Sequence, residues 1–255
     1  MSHPKLLEAR FDSYKIDKVI GTGTLGTVYE AQQVRLNRKV AVKFIGTAFV
    51  SEFPIEEFEE EVFDLAGLYH PNIAMVIDAG SVRGQPYIIT ELIEGMTLEE
   101  FMESGEPDPV ATIGIVSQIC EGLAYAHDHG VLHLDLTPNH ILLSEIGWVK
   151  LVDFRMSRPF TPSESAEGAG ILPFLSPEEL EYDATVDHRS DVYAVGKILW
   201  LLITGEMPPA HREGELSLDS LPEAWAPLIG KAVRRDPEER FESCEAFRAE
   251  LLEMA

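Results

Sequence analysis

"GTGTLGTVYEA", residues 21–31, sets Gly21, Gly23 and Gly26 in a G-x-G-x-x-G-x-V pattern that ends on Val28. Glycines at this spacing let backbone N–H groups approach phosphates with no Cβ in the way. The residues just after the glycines decide the fold. A dinucleotide-binding fold opens a helix at this point. Here "TVYEA" (27–31) alternates apolar and polar residues, the pattern of a strand. "YKIDKVIGTG" (14–23) alternates in the same way, so the glycines turn a hairpin. Alone the motif is weak, since many Gly-rich hairpins bind nothing.

Outward from that hairpin, "KVAVKFIG" (39–46) predicts a third strand, with Lys43 placed 17 residues after Gly26. Ala41 and Lys43 share one face of it, and Val40 and Val42 the other. A Lys inside an apolar strand needs a partner. "PIEEFEEEVFDLAGL" (54–68) carries Phe58, Val62, Leu65 and Leu68 at helical spacing, and Pro54 suits a first turn. Most of its acidic run is a solvated face. Glu61, between inward-facing Phe58 and Leu65, is the expected partner of Lys43.

Strands are expected near 75–81 and 86–92. From Gly95 the texture turns helical, with a helix over 108–130 closed by Gly130 and a buried one over 190–204. "ILL" and "WVKLVDF" predict short strands, 160–170 a loop, and 222–235 and 243–253 two final helices. The reading is an α+β fold in two lobes, with a boundary near 93–96. An N-terminal extension (1–13) precedes a small antiparallel β-sheet lobe with one helix (14–93) and a larger, mainly helical lobe (94–255).

Composition narrows the function. A net charge of -24, from 44 acidic and 20 basic residues, argues against nucleic acid or an anionic membrane surface as partner. Cys120 and Cys244 form no spaced pattern and read as reduced thiols. The longest apolar stretch, "YAVGKILWLLITG" (193–205), is too short to span a bilayer, and the chain reads as cytoplasmic.

Further motifs occur in order: "HLD" (133–135), "DF" (153–154), "SPE" (176–178), "SDVYAVG" (190–196) and "DPEERF" (236–241). With the Gly loop and the strand Lys, these make the chain resemble the eukaryotic-type protein kinase family over about 14–252. "HPNI" (70–73), "YIITELIEG" (87–95) and "ITGEMPP" (203–209) are most similar to bacterial Ser/Thr kinases. The resemblance implies ATP with Mg²⁺ or Mn²⁺ as cofactors and a protein substrate or signalling partner. It implies Asp135 as catalytic base, and Lys43 and Glu61 as the pair that holds the ATP phosphates. Gly21, Gly23 and Gly26 would cover those phosphates. Val28, Ala41 and Leu142 would sandwich adenine, with Thr90 as gatekeeper and Glu91 to Ile93 as hinge. Asp153 would hold metal, and His140 stands where the family has its second metal ligand. Leu65, His133 and Phe154 would form a spine, Asp191 would hold the catalytic-loop backbone, and Arg240 would pair with Glu178.

The departures from the family pattern carry as much information. Its H-R-D-L-K-P-x-N reads "HLDLTPNH" here (133–140), its D-F-G reads "DFR" (153–155), and the Thr before "SPE" is Ile171. Leu134 removes the cation that grips a phosphorylated loop, so switching through Ser157, Thr161, Ser163 or Ser165 is not expected. Thr137 removes a cation from the developing γ-phosphate charge, and Ile171 removes the hydroxyl that goes with it. His140 exchanges a hard amide oxygen for a softer nitrogen. Arg155 adds a cation beside Asp153. One helix also looks missing between Gly205 and Asp236. A zinc site from His127, His129, His133 and His140 is the weaker reading, because His127 lies in the long helix and His133 in the spine.

Three functions remain open: a pseudokinase with impaired transfer, acting as a signalling or scaffold module; an active but atypical Ser/Thr kinase; and a small-molecule phosphotransferase. The last does not account for "SPE", "SDVYAVG" and "DPEERF".

Overall fold

Strict alternation builds the first unit. Strand β1 (Tyr14–Gly23) turns into β2 (Gly26–Gln33) and β3 (Arg38–Ile45). Helix α1 (Ile55–Ala66), β4 (Val76–Val82) and β5 (Gln85–Glu91) complete it, in an antiparallel sheet of order β1-β2-β3-β5-β4. Val40, Val42 and Phe44 are buried with Tyr29, Ala31 and Ile89 in one apolar layer. The intervening Ala41 and Lys43 are half-buried on the opposite face. Phe58 and Val62 bury one side of α1, while Phe63 stays exposed. The computed structural model describes residues 13–23, 26–46, 55–82, 84–105, 107–154, 172–181, 184–210 and 218–254. Arg155, Ile171 and the possible phosphorylation positions 157, 161, 163 and 165 lie outside them.

The chain divides into two compact units. One runs to Tyr69 and resumes over Ala74–Ile93; the other takes His70–Ile73 and continues from Glu94. The "HPNI" segment thus belongs to the helical unit, although the sequence reading put it in the small lobe. Asn72 explains this. Its side-chain amide donates to Val149 O (2.9 Å) and Gln118 Oε1 (3.1 Å), and its backbone carbonyl accepts from Leu151 N (2.8 Å). Both acceptors of its side-chain NH2 lie in the helical unit, and that ties the segment there.

The helical unit opens with β6 (Gly95–Thr97) and a short α2 (Leu98–Glu103) that the sequence reading missed. Thr97 and Glu100 form a reciprocal capping box at the start of α2. Helix α3 (Pro109–Asp128) comes next, N-capped by Asp108. Strands β7 (Ile141–Ser144) and β8 (Val149–Leu151) complete a three-stranded sheet of order β6-β7-β8. Helix α4 (His188–Thr204) is buried all round from Ser190 to Leu202, as suits the centre of a helical unit. Helices α5 (Ala226–Ala232) and α6 (Cys244–Leu252) close the chain. Arg248 of α6 donates to Ser117 Oγ and pairs with Glu121, fixing α6 on α3. Cys120 and Cys244 are both free and buried. Helix α5 is shorter than the predicted 222–235, and it is the one α-helix among the described residues of 206–236. No helix among the described residues is long and apolar enough to cross a membrane.

Candidate active site

In the sheet unit, cross-strand register gathers several predicted residues. Val28 stands opposite Lys43, and Ala41 opposite Thr90. Opposite residues in an antiparallel pair share a face. Val28, Ala41, Lys43 and Thr90 therefore lie on one side of the sheet, away from the Val40–Phe44 layer. Glu91 is tied to the neighbouring chain segment: its Oε1 accepts from Met75 N (2.9 Å) and its N–H donates to Met75 O (3.0 Å). Glu61 of α1 is half-buried, with one carboxylate oxygen fully enclosed.

The three glycines are not equivalent. Gly26 sits at φ +151°, where a Cβ would fall 1.9 Å from Phe44 O. Its lack of a side chain is needed for β2 to pair with β3, whatever the ligand. At Gly23 a Cβ would meet nothing within 4 Å. Gly23 is thus the position where the room, and not the protein's own backbone, would be spent by a side chain.

The helical unit carries the loop at 133–140. Asp191 of α4 accepts from His133 N through Oδ2 and from Leu134 N through Oδ1, both at 2.8 Å. Those two bonds hold Leu134 at φ +53°, a left-handed conformation that costs a non-glycine residue about 1–3 kcal/mol. His127 Nε2 lies 2.8 Å from the same Asp191 Oδ2. Burial alone would strip the proton from His127, but Asp191 outweighs it and carries the pKa up to about 10. The Asp191 carboxyl is held below its ordinary value: burial opposes this, and the His127 bond overcomes it. His133, six residues on, is the reverse: burial pushes it down to about 4. Its neutral ring accepts from Asp135 N at Nδ1 (3.3 Å) and packs on Phe154 with ring centroids 4.4 Å apart.

A second buried pair braces the unit. Arg240 grips Glu178 with two nitrogens, at 2.6 and 2.7 Å, and donates to three backbone carbonyls. Burial would raise the Glu178 carboxyl, but Arg240 and Ser190 hold it below the usual range.

The front of the loop holds the exchanged residues. His140 ends a one-turn 3-10 helix, Pro138–His140. Its Nδ1 is 2.6 Å from Asp135 O and 3.4 Å from Asp135 Oδ2, and its Nε2 is 3.8 Å from Asp153 Oδ2. Asp153 adopts φ +59°. Asp135, His140 and Asp153 thus form one cluster. Thr137 is only 6% exposed. It lines a small pocket with Asp135, Phe174, Glu179 and Asp191. Leu142 stands between Thr97 of β6 and Lys150 of β8. Sequence reasoning missed His127 as an anchor; the signal available was a His in the last turn of a long helix. The four histidines weighed for zinc do not assemble: no group of three His, Cys, Asp or Glu side chains among the described residues could hold a metal alone.

A small antiparallel sheet with one helix, a mainly helical unit, and a loop pinned by a buried Asp define a protein kinase fold. The chain belongs to the protein kinase family, whose Protein kinase domain matches residues 14–253. It is 31% identical to the serine/threonine-protein kinase PknB of Mycobacterium leprae, over 94% of this chain and 43% of that protein. It is also 31% identical to the serine/threonine-protein kinase PrkC of Bacillus subtilis, over 93% of this chain and 40% of that protein. The chain spans about two fifths of the length of these relatives. The crystal structure of the PknI kinase domain of Mycobacterium tuberculosis superposes with a TM-score of 0.81, at 25% identity, over 96% of this chain and 97% of that one.

Proposed function

We propose that this protein kinase domain binds ATP and transfers its γ-phosphate poorly, so that it works chiefly as a cytoplasmic signalling or scaffold module. The observation that carries the reading is Thr137, nearly buried where the family places a Lys that meets the transferring phosphate. A buried neutral side chain cannot stabilise that charge.

On the nucleotide side, Gly21, Gly23, Gly26, Lys43 and Glu61 would take the phosphates. Val28, Ala41, Thr90, Glu91, Ile93 and Leu142 would take adenine. What supports this is the shared sheet face of Val28, Ala41, Lys43 and Thr90. Asp153 and His140 fit a divalent cation, Mg²⁺ or Mn²⁺: a carboxylate and a ring nitrogen lie side by side, each partly open to solvent. When bound, such an ion neutralises phosphate charge and orients the γ-phosphoryl group. Asp135 would accept the hydroxyl proton of a protein substrate.

A second reading has support in the Asp135–His140–Asp153 cluster: an active, atypical Ser/Thr kinase. Incubation with labelled ATP, alone and with generic protein acceptors, separates the two. Binding of an unhydrolysable ATP analogue with near-background labelling supports the first reading. Steady turnover supports the second. A preparation that binds no nucleotide overturns both.

A further inference from the structure

We infer that Cys244 is a positioning residue for the 133–140 loop: its thiol takes the second N–H of the buried His127 and so steadies the ring that seats Asp191 under His133 and Leu134. This goes beyond the proposed function and is independent of nucleotide binding.

A charged imidazole has two N–H donors and needs two acceptors. Nε2 of His127 has its acceptor, Asp191 Oδ2 at 2.8 Å. Nδ1 is enclosed and has no nitrogen or oxygen acceptor among the described residues. The His127 side chain is 9% exposed, so bulk water does not serve that nitrogen. The side chain that meets the ring beside Asp191 is the Cys244 thiol. Sulfur is a weak acceptor, but an N–H of a buried cation left with none is costly.

Helix packing brings the thiol there. Arg248 of α6 donates to Ser117 Oγ at 2.8 Å and pairs with Glu121, both on α3. Cys244 lies one turn before Arg248, and Cys120 lies between Ser117 and Glu121, so the same docking sets the two thiols together. Both are fully buried, and Cys244 hydrogen-bonds Cys120 as well as His127. The Cys120 bond and burial hold the Cys244 thiol well above its ordinary pKa, so it keeps its hydrogen. Its sulfur then accepts from His127 Nδ1–H, and its own hydrogen turns to Cys120 Sγ. One directed row results: Cys244 donates to Cys120, His127 to Cys244 and Asp191, and the His133 and Leu134 amides to Asp191. Its far end is Leu134 at φ +53°.

The groups that face the His127 ring are few. Burial works against its charge, and Asp191 of α4 and Cys244 of α6 outweigh it, so the ring holds its proton up to about pH 10. His188 of α4 stands with its ring centroid 5.7 Å away, and its Nε2 is engaged with Glu242 O at 2.8 Å. Cys120 acts through Cys244. Removing the Cys244 sulfur leaves Asp191 alone to hold the charge. Serine keeps a donor and an acceptor at this position. Alanine keeps neither, and valine fills the space but accepts nothing.

The test is a pH titration of the whole chain, labelled with ¹³C,¹⁵N-histidine and read at the His127 ring by nuclear magnetic resonance. The native ring should carry both N–H groups at about pH 8, well below its midpoint. Cys244→Ala should lower the midpoint by about one pH unit, and Cys244→Ser should recover most of that shift. Hydrogen exchange at the Leu134 amide should quicken several-fold in Cys244→Ala and stay near native in Cys244→Ser. Cys244→Val should behave like Cys244→Ala, and it serves in its place if the smaller side chain impairs folding. A native His127 that is already neutral at about pH 8 overturns the inference with no variant at all. A folded Cys244→Ala or Cys244→Val with the native midpoint overturns it too, because the sulfur then only fills space.

Discussion

The back of the 133–140 loop and its front are held by different means. At the back, Asp191 takes two loop N–H groups and a charged His127, and Arg240 closes on Glu178 close by. At the front, Thr137 is buried and neutral, and His140 replaces an amide between Asp135 and Asp153. The back keeps the family pattern, while the front keeps Asp135 and Asp153 but exchanges Thr137 and His140. The back sets the loop's shape; the front sets its charge. The kinase fold and the left-handed turn at Leu134 are thus kept beside exchanged side chains at the front.

The sharpest way to break that comparison is to remove the back. Asp191→Ala strands a charged, buried His127 and two loop amides, and should cost about 3–5 kcal/mol. Asp135→Asn, at the front, should cost about 1 kcal/mol or less. Urea denaturation of both checks this, and equal losses would erase the distinction between the two faces. Nucleotide binding comes next. An ATP analogue at a concentration about a hundredfold over its Kd should stabilise the native protein by about 2.7 kcal/mol, and Lys43→Met should remove most of that shift in Tm.

A smaller effect comes from the two histidines behind the loop. His127 holds its proton up to about pH 10 in the fold, against 6.5 for an ordinary histidine. Its stabilisation is complete below the unfolded pKa and is lost as pH rises through the folded one. His133 is held down at about 4, so its contribution is present above 6.5 and is lost as pH falls through 4. Tm should peak near neutral pH and fall by several degrees on each side. His127→Gln should flatten the alkaline arm alone. The smallest effect belongs to the segment that Leu134 cannot grip. Glutamate at Thr161 and Ser163 should leave analogue binding within about 0.5 kcal/mol of native by calorimetry.

Much of the fold was legible because its signals are local. Alternation in 14–45, the apolar spacing of α1 and the length of α3 each lie in one short window. Helix α2 was legible too, through Thr97 and Glu100, but six residues give little periodicity to notice. Tertiary hydrogen bonding hid the rest. Nothing next to Asn72 says that it will bind Gln118 and Val149, so "HPNI" was assigned to the wrong unit. Nothing next to His127 announces a carboxylate 64 residues away. Helix α5 was predicted too long because Pro222 to Trp225 form a turn that apolar spacing alone cannot tell from helix. At the site, the exchanges at Thr137 and His140 were plain in the sequence. The burial of Thr137 and the contacts of His140 needed coordinates.

The proposal of a kinase frame with impaired transfer is tested most directly by restoring the exchanged residues. Autophosphorylation with Mg²⁺ should be near background in the native protein. Each missing electrostatic donor typically costs about a hundredfold to a thousandfold. Combined Thr137→Lys, His140→Asn and Ile171→Thr should raise the rate measurably, and adding Asp135→Asn should abolish the gain. Robust Mg²⁺-dependent turnover by the native protein, or a triple variant that binds ATP and stays inert, would contradict the account.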